Sequence, residues 1–243
     1  MKRLIVFLLA LSAPLFASAQ PYSGSRQFDG THRNVLEGSL MGGSNVIVGN
    51  FGGESFIYTR YLGNRWSISG GEQVQFFKQL YSVNVTGSYR LPLGKASNLY
   101  FDGQFLFNRY DRWNVNEPIF HVSAYWESPY VDLRVGASWI HYVKIGVDKR
   151  YTDAAYTEPI AIPVGFGVNI RRRDNPWNLG FFIRNYDQFY YENWNINWGV
   201  RSHATLTDSM VLFGEFNVRP AGSLSQLATR YETSLKIGLR YVL

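Results

Sequence analysis

A chain of 243 residues with no cysteine, 24 basic and 18 acidic side chains leaves out several classes at once. It has no disulfide framework and no thiol to carry a lipid anchor, and its Lys and Arg are scattered, without the basic patch that nucleic acid requires. Its aromatic load is the unusual feature: seven Trp, seventeen Tyr and seventeen Phe, more than a soluble core needs and in keeping with aromatic girdles at two membrane interfaces.

The first nineteen residues have the layout of a secretory signal. Lys2 and Arg3 give a positive start, Leu4 to Phe16 an apolar core, and Ala17-Ser18-Ala19 a small-residue cleavage site. Mature protein is then expected from Gln20, with a polar lead over 20–32. Without Lys2 and Arg3 it carries 22 basic against 18 acidic residues, a net charge of +4. A transmembrane helix is the rival reading, but crossing takes about 20 apolar residues, and Ser12 and Pro14 interrupt this run. Beyond Gln20 no apolar run approaches the length of a spanning helix, and no linker divides the chain into domains.

The remainder is organised by alternation with a period of two, the mark of strands with one apolar and one polar face. Strands are expected over 33–42 and 54–62, with Glu37 and Arg60 among their polar positions. Gly63-Asn64 turns the chain into a third strand, 65–75. The fourth, 80–91, is the clearest: Tyr81, Val83, Val85, Gly87, Tyr89 and Leu91 alternate with Ser82, Asn84, Thr86, Ser88 and Arg90. In the fifth, 98–109, Leu99, Phe101, Gly103, Phe105 and Phe107 oppose Asp102, Gln104 and Asn108, with Tyr100 and Leu106 on the polar side. Strands follow over 118–127, 130–142 (Asp132, Arg134), 157–171, 177–187 (Arg184), 193–206 (Arg201), 209–219 (Glu215) and 228–243 (Lys236, Arg240). Pro92 to Ser97, Ser128-Pro129, Arg172 to Pro176 and Thr207-Asp208 are further tight links, and the links between them are mostly longer.

Twelve such strands imply an all-β, up-and-down antiparallel transmembrane β-barrel over 33–243, because a sheet in lipid must close to satisfy its backbone. Alternation alone fits a soluble sandwich equally well. Bulk favours the membrane: Trp66, Tyr89, Trp126, Trp139, Trp177, Trp198 and Tyr241 crowd the apolar face, many near strand ends. Short links on one side and long ones on the other, with an even strand count, place both termini in the periplasm.

The chain ends Lys236-Ile237-Gly238-Leu239-Arg240-Tyr241-Val242-Leu243. A polar residue is followed by Gly two places on, an aromatic three after that and a final apolar residue two further. This run resembles the C-terminal β-signal of Gram-negative outer-membrane proteins, many of which end in Phe instead. The resemblance implies a protein seated among outer-membrane lipids and lipopolysaccharide, with Lys236, Gly238, Tyr241 and Leu243 read by the barrel-assembly machinery.

If the apolar face meets lipid, the polar positions Glu37, Arg60, Arg90, Asp102, Asp132, Arg134, Arg184, Arg201, Glu215, Lys236 and Arg240 line the lumen. One reading is a network of paired charges that stiffens the barrel. The other is a narrow aqueous path whose excess of Arg favours anions, constricted near the periplasmic mouth by Arg60, Arg90 and Arg240. Tyr186, Phe189, Tyr190, Tyr191 and Trp194 form an aromatic patch at the outer rim, either an interfacial girdle or a surface for sugar rings. His121-Val122-Ser123 is similar to the His-x-Ser of outer-membrane phospholipases, but Ala124-Tyr125 stands where that family has Asn-Gly, and both side chains turn into the lumen. His141 and His203 lack metal-ligand spacing. Gly165-Phe166-Gly167 lacks the helix of a phosphate loop. The expectation is therefore a channel without enzyme activity, cofactor or metal, with a non-conducting structural or surface-binding barrel as the alternative and a lipid hydrolase third.

Overall fold

The computed structural model describes residues 34–45, 49–76, 80–94, 96–111, 114–145, 155–171, 175–187, 190–191, 196–220 and 231–243. The signal and lead expected over 1–32 lie outside these residues. The strands are β1 Asn34–Asn45, β2 Gly49–Leu62, β3 Trp66–Gln75, β4 Leu80–Pro92, β5 Asn98–Tyr110, β6 Val115–Glu127 and β7 Val131–Lys144. They continue as β8 Ala155–Ala161, β9 Val164–Asn169, β10 Trp177–Arg184, β11 Tyr186–Asp187, β12 Tyr190–Tyr191, β13 Asn197–Thr207, β14 Met210–Pro220 and β15 Tyr231–Val242.

All pairings are antiparallel between neighbours, and β1 pairs with β15, so the sheet closes on itself. β8 and β9 pair with opposite ends of β7 and together make one stave, which gives a barrel of twelve. β11 and β12 form a separate ribbon between β10 and β13.

The alternation expected of β4 and β5 is the observed burial pattern: Ser82, Asn84, Thr86, Ser88, Asp102 and Asn108 are buried, and their apolar neighbours face out. Around the outside stand Val85, Phe101, Phe120, Val122, Leu133, Phe181, Phe216 and Ile237, each large, apolar and exposed; Val122 reaches 60%. An apolar surface of this extent needs a hydrocarbon solvent. At the short-link end it gives way to Trp66, Tyr89, Trp126, Tyr130, Trp177 and Tyr241, where Arg171 lies 4.6 Å over the Trp177 ring. Amphipathic rings at that level suit a membrane interface.

Two differences from the sequence reading have physical causes. β1 and β2 run on beyond the strands expected over 33–42 and 54–62, through Gly43 and Gly52-Gly53. Glycine keeps its backbone donor and acceptor, so the ladder continues, and the Phe51 ring fills the space beside Gly43, 2.7 Å from where a Cβ would stand. The eighth strand, expected unbroken over 157–171, is split at Ile162-Pro163, since Pro163 has no N–H to donate. Asn185 repairs the gap: its Oδ1 accepts from Val164 N at 2.7 Å, and its Nδ2 donates to the Ile162 carbonyl at 2.9 Å. That use of Asn185 ends β10 at Arg184 rather than at 187.

The tight link at Gly63 depends on a φ of +72°, open to glycine at little cost. Two inward glycines lie under aromatic rings. Phe182 pairs with Gly199 and Phe213 with Gly238, and each ring occupies the place a side chain on that glycine would take.

Candidate functional site

The lumen is the site. Each strand in turn delivers alternate side chains to it, and Glu37, Arg90, Asp102, Asp132, Arg134, Arg184, Arg201, Glu215, Lys236 and Arg240 all lie on inward faces.

Arg60 does not, which corrects its place in the basic constriction. Burial along β2 falls on Phe51, Ser55, Ile57, Thr59 and Tyr61, while Arg60 stands outward with Phe56, Tyr58 and Leu62. β2 is apolar on both faces, so its alternation carries no sign. Pairing decides it: Thr59 sits opposite the inward Val35, and Arg60 opposite Asn34.

Four further charges turn inward that the sequence reading did not name: Glu117, Glu127, Arg219 and Glu232. Without Arg60 and with these added, the described inward charges that are buried or half-buried are seven basic (Arg90, Arg134, Arg184, Arg201, Arg219, Lys236, Arg240) and seven acidic (Glu37, Asp102, Glu117, Glu127, Asp132, Glu215, Glu232). Among the described residues the expected excess of positive charge is absent.

Most of these charges meet. Arg134 donates to Asp102 at 2.9 Å, and Asp102 also accepts from Ser88 at 2.8 Å. Arg184 pairs closely with Glu215, and Arg201 with Asp132. Arg240 reaches Glu37 at 3.2 Å and Arg219 reaches Glu232 at 2.9 Å. Glu127 accepts from the Tyr100 hydroxyl at 2.8 Å and from Asn98 Nδ2 at 3.2 Å, while Asn98 Oδ1 accepts from Arg90 at 2.8 Å. Glu117 accepts from Asn108 at 2.6 Å and Tyr110 at 3.0 Å. Lys236 faces Glu215 in the ladder, its ammonium 6.0 Å from the Phe213 ring. A charge withdrawn from water needs such a partner, and here the partners come from other staves, adjacent for Arg240 and Glu37 but across an intervening stave for Arg134 and Asp102.

Two apolar clusters also occupy the interior. Ile57, Leu106, Ile119, Ile140, Ala161 and Tyr186 form one, and Val35, Tyr61, Tyr100 and Tyr125 the other. Both connect β1 or β2 with β5 and β6, so they fill the side of the lumen beneath β3 and β4, whose inward residues are as small as Ser67, Ser69, Ser82 and Ser88.

Tyr186 corrects the outer-rim reading as well. It is 5% exposed and inward, with the Arg134 guanidinium 5.1 Å from its ring and that of Arg184 at 5.9 Å. Its turn inward follows from Asn185, which is held against the Pro163 break. Phe189 and Trp194 lie outside the described residues, as do the side chains of Tyr190 and Tyr191.

His121 and Ser123 are not joined as base and nucleophile. His121 Nδ1 shares a 2.7 Å hydrogen bond with Ser138, and Ser123 donates to Asp102 at 3.4 Å. Of the assembly-signal residues, Lys236 and Gly238 face in, while Tyr241 and Leu243 face out.

A closed antiparallel barrel with a polar lumen and an apolar outer belt defines a single-chain β-barrel of the outer-membrane type. Its fold is similar to that of solved porins. The KdgM porin matches with a TM-score of 0.56 and 8% identity over 86% of this chain and 99% of that one. The NanC porin matches with a TM-score of 0.54 and 13% identity over 85% and 100%. The Acinetobacter baumannii outer-membrane protein Omp33 matches with a TM-score of 0.51 and 12% identity over 87% and 98%. No protein-family model and no curated protein sequence matches the chain.

Proposed function

We propose that the protein resides in the outer membrane and acts as a narrow, porin-like channel for small solutes, with little intrinsic preference for anions. The observation that carries this is the inward face: a wall built of Ser, Thr, Asn and Gln, with seven basic and seven acidic groups distributed around it. Hydrophilic lining suits water and small polar solutes, and matched charges leave no net ring to select by sign. An anion preference would need an excess of Arg, and the described lumen residues hold none. Porin folds of similar length support the class of activity, not the solute.

A second reading is favoured by the two apolar clusters. Leu106, Ile119 and Ile140 are shut off from water, as befits a non-conducting barrel that serves structurally or through its loops.

Planar bilayers containing the purified, folded protein decide between them. Small, defined conductance steps with an anion-to-cation permeability ratio near one support the channel. Strong selectivity of either sign removes the charge argument, and absence of conductance transfers the case to the structural barrel. Fractionation tests the location, which fails if the protein is recovered in the soluble periplasm. We further infer that the last strand is read by the barrel-assembly machinery and that the outer belt contacts phospholipid and lipopolysaccharide.

A further inference from the structure

The outward wall of β4 to β7 carries a groove of about 720 Å³. Its floor consists of Gly87, Gly103, Ala124 and Ala137, brought together by the ladder, in which Gly87 pairs with Gly103. At the two glycines an added Cβ would meet nothing within 4 Å, so the floor is open toward the membrane. Phe101, Val122 and Val135 stand up from the same groove, with Val122 in register between Gly103 and Ala137. Toward the short-link rim the groove is bounded by Trp66 and Tyr89, their ring centroids 4.8 Å apart.

A cation stands at that mouth. Arg65, in the link between β2 and β3, is exposed and donates from Nη1 to the Tyr89 hydroxyl at 3.2 Å. A guanidinium has five donors in a planar fork, so the bond to Tyr89 leaves capacity for a bidentate contact with a phosphate. Aromatic rings and a basic residue at this level match the boundary between acyl chains and head groups, where both kinds of side chain are at home.

We propose that the groove binds one anionic glycerophospholipid, its acyl chain along the Gly87-Gly103-Ala124 floor and its phosphate at Arg65. The apolar floor selects hydrocarbon, and Arg65 selects a negatively charged head group over one whose own ammonium competes for the phosphate. The site is external to the lumen, so it stands or falls independently of conduction.

Native mass spectrometry of the full-length mature barrel in mild detergent, with added phosphatidylglycerol or phosphatidylethanolamine, tests the site. The wild type is expected to retain one phosphatidylglycerol, with phosphatidylethanolamine held about tenfold less, as befits loss of charge-assisted hydrogen bonds. Gly103→Phe and Ala124→Phe, which fill the floor from an unobstructed side, are expected to reduce retention of both lipids at least about tenfold while the heat-modifiable folded band persists. Arg65→Gln is expected to erase the preference between the lipids. Gly214→Phe, outward on β14 on another part of the wall, is the control and should bind as the wild type does. Retention by Gly103→Phe equal to wild type, equal loss in Gly214→Phe, an unchanged preference in Arg65→Gln, or copurification of lipopolysaccharide in place of phospholipid would each overturn the proposal.

Discussion

Arg134 on β7 reaches past β6 to donate to Asp102 on β5 at 2.9 Å, with both side chains almost wholly withdrawn from water. The pair lies between the two apolar clusters, with Tyr125 and Tyr186 on either side of the guanidinium. Removing one partner of a buried pair leaves an uncompensated charge at a cost of about 3 to 5 kcal/mol, whereas replacing both costs much less. Asp102→Ala and Arg134→Met should each lower stability by that order, and the double variant by less than the sum. Urea unfolding in micelles measures this. Additive effects would mean that the two groups are not coupled.

The Phe213 ring covers Gly238 so closely that a methyl group there would collide with it. Gly238→Ala should therefore destabilise the seam between β14 and β15, and Phe213→Leu should relieve part of that loss. A coupling energy of about 0.5 to 3 kcal/mol is the range for residues in contact. Gly38 on β1 has open space at its Cβ position, so Gly38→Ala serves as a comparison that should be near neutral.

Val85 points outward at mid-strand, and Val85→Arg places a charge in the hydrocarbon at a cost of about 2 to 4 kcal/mol. The polar neighbour Thr86, which in a wide water-filled lumen would accept Arg readily, is only 4% exposed. Thr86→Arg should be damaging too, through overpacking, while Thr86→Ser is tolerated. Folded fractions on unheated gels distinguish these outcomes; a well-tolerated Thr86→Arg would point to a wider lumen.

Ion selectivity separates Arg60 from Arg240, two of the three arginines expected at the periplasmic mouth. Arg60→Ser should leave the permeability ratio unchanged, because Arg60 faces out. Arg240→Ser removes the partner that reaches Glu37 at 3.2 Å and should shift the ratio toward cations. The shift should fade as salt shortens the Debye length from about 10 Å at 0.1 M. Reversal potentials in salt gradients read both variants, and a shift in Arg60→Ser would restore it to the lumen.

The last residues stitch the closing seam: Val242 N donates to the Ser209 carbonyl at 2.8 Å and Leu243 N to that of Asn34 at 2.9 Å. Deleting Tyr241 to Leu243 should sharply reduce folded protein in the outer membrane, since open edges in lipid leave backbone groups unsatisfied. Unchanged folded yield would show that neither the seam nor a terminal signal is needed.

Much of this architecture was legible in the residues themselves. Period two in β4 and β5 reports a wall with different solvents on its two faces, and the turn residues at Gly63-Asn64 and Ser128-Pro129 mark where it folds back. Strand identity is local, so local composition reveals it. The sign of a face is not local. In β2, where Ile57 and Tyr61 alternate with Phe56 and Tyr58, both parities are apolar, and only the ladder to β1 could turn Arg60 outward. The balance of lumen charge likewise depends on Glu117, Glu127 and Glu232 meeting partners on other staves. The apolar clusters that join Ile57 to Ile119 and Tyr61 to Tyr125 cross the barrel between residues far apart in the chain. A sequence states what each side chain prefers, but which preferences are satisfied together is fixed by closure, because only a closed sheet brings distant staves face to face.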